Sequence, residues 1–181
     1  SIGDDCAVIK VNGGDTLVIT TDTSLLGPHF TSDYTAYEIG YKCLATNLSD
    51  IAAMGCKPQY IFMAITIPDL NSKWIKSFYK GISELTKEFN VALIGGDTNK
   101  GPLSISIQVI GTTKYNILYR SGAKLNDDIY VTGELGSARA ALMIKNNKNF
   151  SKEFKYLKKY LHTPQPRIKL GMDLSRFATS C

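Results

Sequence analysis

Residues 103 to 111 alternate with a period of two: Leu103, Ile105, Ile107 and Val109 fall on one side, Ser104, Ser106, Gln108 and Ile110 on the other. This predicts a strand from Leu103 to Gly111 with one buried and one semi-polar face. Such a strand belongs in a sheet that is covered on one side only, which constrains everything packed around it. Pro58 to Ile67 repeats the pattern, with Ile61, Met63, Ile65 and Ile67 opposed to Tyr60, Phe62, Ala64 and Thr66. Two helical stripes can supply the cover. One runs from about Asp33 to Met54 through Ile39, Cys43, Leu44, Leu48 and Ile51, with Gly55 as its C′ residue. The other follows the N-cap Asn71 through Ile75, Phe78, Ile82, Leu85 and Phe89, leaving Tyr79 and Lys80 off the stripe.

Three further strands are expected. Ala7 to Val11 is followed by the turn Gly13-Gly14-Asp15 and by the β-branched run Thr16 to Thr20. Val91 to Ile94 reads as a short buried strand that stops at two glycines. Beyond residue 111, a loop from Thr112 to Asp128 marks a domain boundary. A short strand, Ile129 to Thr132, then leads through Gly133-Glu134-Leu135-Gly136 into a helix, Ala138 to Lys145. That order can make a helix N-terminus into an anion site, although a GxxG pair is usually only a tight connection. The stiff loop Thr163-Pro164-Gln165-Pro166-Arg167 precedes a last helical start. The expectation is an α+β fold: a mixed sheet with helices on one face over residues 1–115, then the start of a second α/β domain over 116–181.

Composition limits the classes of function. A chain of 181 residues with 44% hydrophobic content can bury a good core without disulfides or metals. Cys6, Cys43, Cys56 and Cys181 form no CxxC pair, so they read as reduced packing residues and zinc is not expected. No run approaches the ~18 apolar residues of a membrane span and no signal segment opens the chain, so no membrane partner and a cytoplasmic location are expected. Much of the net charge of +5 lies between Lys145 and Lys159. That segment reads as a solvated helix surface; no RNP motif, helix-turn-helix pattern or zinc-finger spacing supports a nucleic-acid partner.

Acidic residues mark the candidate chemistry. Asp4 and Asp5 precede the first strand, where adjacent carboxylates repel unless a cation offsets them; the other reading is an exposed polar turn. Thr20-Thr21-Asp22-Thr23 ends the second strand with hydroxyls beside a carboxylate. Asn47 and Asp50 share a face near the C-terminal end of the first helix, where the helix dipole disfavours a carboxylate and a cation would favour it. Gly95-Gly96-Asp97 sits at a strand end, where backbone can approach a ligand and an Asp can hold a hard cation such as magnesium, or can simply turn the chain. His29 lies in the Gly27-Pro28 loop, seven residues past Asp22, and is open to a structural or a functional role.

Taken together, Gly3-Asp4-Asp5-Cys6-Ala7, Thr20-Thr21-Asp22-Thr23 with Gly27-Pro28-His29-Phe30, the run Leu44 to Gly55, Ile94 to Thr98, Arg120-Ser121-Gly122-Ala123 and Val131 to Gly136 occur in the order and spacing of the thiamine-monophosphate kinase family. The chain resembles that family over essentially its whole length. The resemblance implies ATP-dependent phosphorylation of thiamine monophosphate to thiamine diphosphate, with several Mg2+ ions, ATP as co-substrate and no residue acting as nucleophile. It implies Asp5, Thr20, Thr21, Asp22, Asp50 and Asp97 as metal ligands. Tyr79, Gly96, Asp97 and Arg120 would bind nucleotide, and His29 would bind substrate. It implies also a homodimer whose sheets join around a barrel. Family members continue into an Asp-x-Ser-Asp-Gly segment that this chain lacks, and they open with a Gly-Glu-Phe-type segment also lacking here. The chain is therefore expected to be an N-terminal fragment, inactive alone. Arg139 departs from the family's small-residue run and is expected to face solvent. Two alternatives stand beside this reading. One is another ATP-dependent enzyme of the superfamily, selenophosphate synthetase-like or aminoimidazole ribonucleotide synthetase-like. The other is a non-catalytic nucleotide-binding or dimerisation module.

Overall fold

The computed structural model describes residues 2–181, so Ser1, with which the expected first domain begins, lies outside the described residues. Five strands form one mixed sheet: β1 (Ala7–Lys10), β2 (Thr16–Leu25), β3 (Lys57–Ile67), β4 (Ala92–Lys100) and β5 (Ser104–Thr112), in the order β1-β2-β5-β3-β4. All pairs are antiparallel except β3 and β4. A parallel pair needs a long crossover, and α2 (Ser72–Glu88) provides it.

The alternation in β3 and β5 is realised as expected. Ile61, Met63, Ile65, Ile105, Ile107 and Val109 are buried against the helices, whereas Tyr60 and Phe62 are exposed on the far face. Helix α1 (Ala36–Ala53) starts with a capping box between Thr35 and Glu38, three residues later than the sequence pattern suggests. Thr31 and Asp33 stay outside it, engaged by the Lys145 ammonium. Helix α2 begins as expected, with Asn71 accepting from the Lys73 and Trp74 amides. The two helices touch through glycine: a Cβ on Gly40 would lie 2.2 Å from the Phe78 carbonyl oxygen, and one on Gly81 2.2 Å from that of Tyr37. This close crossing seals Phe78 completely, a burial that contributes roughly 2–3 kcal/mol.

Four expectations are corrected. Strand β2 does not stop at Thr20 but pairs with β5 as far as Leu25, because threonines are good strand formers and a full ladder partner is available. Asp22 is therefore a mid-strand residue. Likewise Gly95, Gly96 and Asp97 lie inside β4, which runs on to Lys100, and do not form a turn. The apolar run before them is an edge and not a core strand. Val91 is buried, but Leu93 and Ile94 are 38% and 53% exposed because β4 has a neighbour on one side only. Finally, Ile129 to Thr132 has no ladder partner and is not a strand, with Ile129 94% exposed.

The remaining chain packs back against α1. Helices α3 (Ser137–Ile144) and α4 (Ser151–His162) form a hairpin, with a short 3-10 turn at Lys148–Phe150 between them. Helix α5 (Ile168–Leu174) lies against the end of α1, so closely that a Cβ on Gly171 would be 2.0 Å from the Ala52 oxygen. Several charges of the basic segment have partners: Lys145 meets Asp33, and Lys158 lies 2.6 Å from Glu38. Arg139 is exposed, as expected. Cys6, Cys43 and Cys56 are buried, and Cys181 is exposed. Among the described residues, no helix is long and apolar enough to cross a membrane.

Candidate active site

The site is built where α1 crosses β2. Strand β1 covers β2 only from Thr16 to Ile19, so beyond that point one edge of β2 is free. Helix α1 uses that edge. Asn47, itself buried, accepts the Asp22 backbone N–H at 3.2 Å through Oδ1 and donates to the Cys43 carbonyl at 3.0 Å. One turn later Asp50 accepts the Thr20 hydroxyl at 2.7 Å. The three-residue spacing of Asn47 and Asp50 thus serves to seize two alternate residues of one strand.

A cleft of about 620 Å³ opens beside this crossing, lined by Asp4, Asp5, Thr20, Thr21, Asp22 and Asp50 among others. Burial, then the charges of Asp22 and Asp5, push the Asp50 carboxyl up to about 6, against the lowering effect of the Thr20 hydroxyl. Its own burial, then the charges of Asp50, Cys56 and Asp5, drive the Cys6 thiol far upward. Thr21 borders the cleft, but its hydroxyl accepts from Gln108 on β5. Asp5, Asp22 and Asp50 with the Thr20 hydroxyl give only hard oxygen donors, and the mutual repulsion of the carboxylates suits a hard divalent cation. Among the described residues, no three His, Cys, Asp or Glu side chains are already drawn together around one metal position.

Arg120 closes one side of the cleft. Its backbone N–H donates to Asp4 at 3.0 Å and its guanidinium to the Gly3 carbonyl at 3.1 Å.

Tyr79, Gly96 and Asp97 meet elsewhere, around a hollow of about 310 Å³ that Met63, Leu93, Gly95 and Thr98 help to line. Asp97 is held by the Thr98 amide at 2.8 Å and by Asn99 at 2.6 Å. Gly96 is required here, since its φ is +149° and a Cβ would lie 1.9 Å from the Met63 oxygen. With β5 and β3 between them, β2 and β4 stand three strand spacings apart, or roughly 14 Å. The expected metal carboxylates therefore divide within one chain: Asp5, Asp22 and Asp50 gather, and Asp97 does not join them. The expected nucleotide residues divide too, Arg120 standing at the cleft and the other three at β4.

His29 is exposed in the turn that follows β2. Its Nδ1 accepts the Leu25 N–H at 3.1 Å, which leaves the imidazole proton on Nε2. Lys42 was not singled out by any sequence pattern, yet its ammonium donates to the His29 carbonyl at 3.1 Å. Its position on α1, off the apolar stripe, was the available signal.

Residues 3–113 match the family model for the AIR synthase related protein, N-terminal domain. The thiamine-monophosphate kinase of Buchnera aphidicola subsp. Schizaphis graminum is 44% identical over 99% of this chain and 57% of its own length. The crystal structure of thiamine-monophosphate kinase from Stenotrophomonas maltophilia K279a superposes with a TM-score of 0.88 at 38% identity, over 99% of this chain and 60% of that one. AaThiL complexed with AMPPCP and TMP has a TM-score of 0.90 at 28% identity, over 99% and 59%. The chain thus spans somewhat more than half the length of these relatives. Motif order, sheet topology and the match over residues 3–113 all agree that the chain belongs to the AIR synthase related family through its N-terminal domain.

Proposed function

We propose that this chain supplies the phosphate-handling half of an ATP-dependent enzyme that converts thiamine monophosphate to thiamine diphosphate. The observation that carries the reading is the cleft where Asp5, Asp22 and Asp50 converge and the Asp50 carboxyl is pushed up to about 6. Its support from outside is the likeness to thiamine-monophosphate kinases, one of them complexed with AMPPCP and TMP. In the reaction an acceptor phosphate oxygen bonds to the γ-phosphorus of ATP, the β–γ bridging P–O bond breaks, and ADP leaves with the electron pair. An ionised phosphate needs no general base, so no side chain has to act as nucleophile.

Mg2+ would be held by Asp5, Asp22 and Asp50 with oxygen from Thr20 and Thr21; bound there, it neutralises phosphate charge. Tyr79, Gly96, Asp97 and Arg120 serve the nucleotide, Asp97 also as a metal ligand, and His29 serves the acceptor. Because Asp97 stands apart from the other carboxylates, a second copy is the natural way to unite the halves. We therefore read the protein as a homodimer joined through the uncovered sheet face, where Tyr60, Phe62 and Ile94 are exposed. The reading divides the chain at 115/116, in keeping with the match over residues 3–113, and puts the reaction in the cytoplasm, where reduced cysteines such as Cys43 and Cys56 persist.

The separation of Asp97 also favours one alternative, a nucleotide-binding or dimerisation module without turnover. A coupled assay on a polypeptide extended to the length of its relatives separates the two. Thiamine diphosphate formation that needs magnesium and is lost in Asp50→Asn supports the kinase. Magnesium-ATP binding without turnover leaves the module.

A further inference from the structure

The His29 turn is fastened from two directions. From within, Leu25 donates its N–H to Nδ1 and accepts the His29 N–H, both at 3.1 Å, while Gly27 donates to the Phe30 carbonyl at 2.8 Å and Phe30 is buried beneath. From outside, the Lys42 ammonium donates to the His29 carbonyl at 3.1 Å and to the Tyr34 hydroxyl at 3.2 Å, lying 5.1 Å from the Tyr34 ring centre. A half-buried ammonium is costly to desolvate, and burial and the nearby Lys145 both lower its proton affinity. A solvated side chain would serve at a position with no task.

Helix α1 gives the contact its meaning. Lys42 holds residue 29, Asn47 holds residue 22 and Asp50 holds residue 20, so one rigid helix grips β2 and its following turn at three successive heights. From Lys42 to Asp50 is a rise of about 12 Å. The helix that orders the carboxylate cleft therefore also sets where the imidazole stands relative to it.

We propose that Lys42 is a positioning residue that aims the His29 Nε2–H at the acceptor, and thereby sets acceptor affinity. The proposal rests on the reading of His29 as the acceptor-side residue. Lys42 touches no reacting atom; it acts through the residue 29 carbonyl, and a guanidinium can replace its donors.

The experiment pairs Lys42→Met, which keeps the stem, with Lys42→Arg, which restores a donor, and uses His29→Asn as the reference. Imidazole 15N shifts of His29 are read at about pH 8, above the ordinary imidazole range. Thiamine monophosphate and ATP affinities are titrated on the same samples. The expected result is one Nε2–H tautomer in the parent and in Lys42→Arg, and averaged nitrogen shifts in Lys42→Met. Acceptor affinity should fall roughly tenfold in Lys42→Met and in His29→Asn, with ATP affinity unchanged and recovery in Lys42→Arg. Unaltered imidazole shifts in Lys42→Met overturn the positioning role, as does acceptor affinity that falls in His29→Asn but not in Lys42→Met. Equal loss of ATP and acceptor affinity with no recovery by arginine makes Lys42 merely structural. Acceptor affinity indifferent to His29→Asn, or no acceptor binding by the parent, overturns the reading of His29 itself and the proposal with it.

Discussion

Thr20 on β2 donates its hydroxyl proton to Asp50 on α1 across 2.7 Å, joining strand to helix at the floor of the carboxylate cleft. The bond favours the charged carboxylate in a place where burial and two other carboxylates oppose it. Thr20→Val should therefore destabilise the fold by about 1 kcal/mol above pH 7, less than a fully buried charged pair because Asp50 is partly exposed. The loss should shrink near pH 4, where Asp50 is protonated. Urea titrations at the two pH values test this.

Asp50 itself carries an opposite sign. Its folded pKa lies above the unfolded carboxylate value, so the stability it contributes is present below about pH 4 and is lost as pH rises through about 6. Asp50→Asn should flatten that slope and leave the metal-free protein equally or more stable at pH 8, while weakening magnesium-nucleotide binding. Asp97→Asn, standing apart on β4, should leave the slope intact. Thermal melts across pH on both variants decide it, and a parent melt indifferent to magnesium would count against a cation in the cleft.

His162 is a third titrating group, remote from the cleft. It is buried and stacks on Tyr34 with ring centres 3.6 Å apart, and among the described residues neither ring nitrogen has a hydrogen-bond partner. Glu38 Oε1 lies 3.4 Å from Nδ1 but out of hydrogen-bond direction; Lys158 and Asp33 are the other charges facing it. Desolvation outweighs the Glu38 attraction and lowers the proton affinity, so His162 contributes stability above about pH 6.5 that is lost as pH falls through its lower folded value. His162→Phe keeps the stack and should reduce the acid-side loss. An unchanged acid limb in calorimetry would show that the α4 contact does not titrate.

Gly96→Ala tests the backbone of β4. The added Cβ meets the Met63 carbonyl at 1.9 Å on a positive φ, which should cost at least about 2 kcal/mol and release the edge strand before the rest of the sheet. Hydrogen exchange should then show fast amides from Asp97 to Lys100 with β5 still protected. Uniform loss of protection would mean that β4 is not a separable edge.

The faces of β3 and β5 were legible because alternation reports burial directly, and the caps at Asn71 and Gly55 because their chemistry is local. The continuation of β2 through Asp22 and of β4 through Asp97 was not, because threonine, glycine and aspartate at a run's end look alike in a strand and in a turn. Only the partners β5 and β3 distinguish them. Ile129 to Thr132 erred the other way: its residues favour a strand, but propensity without a neighbour makes none. In the site, Asn47 and Asp50 could be paired from their spacing. That Asp97 stands across the sheet from them depends on strand order, which no local pattern encodes.

The tie between the Arg120 backbone and Asp4 spans 116 positions of the chain. At about 5–20 residues per second of synthesis, Asp4 emerges roughly 6–23 seconds before its partner exists. Throughout that interval the nascent acidic loop has no basic neighbour from this segment to quiet it, and the sheet beside it can assemble first. The cleft is thus completed only after all five strands have been made, and a ligand that settles there can distinguish a chain grown past Arg120 from a shorter one.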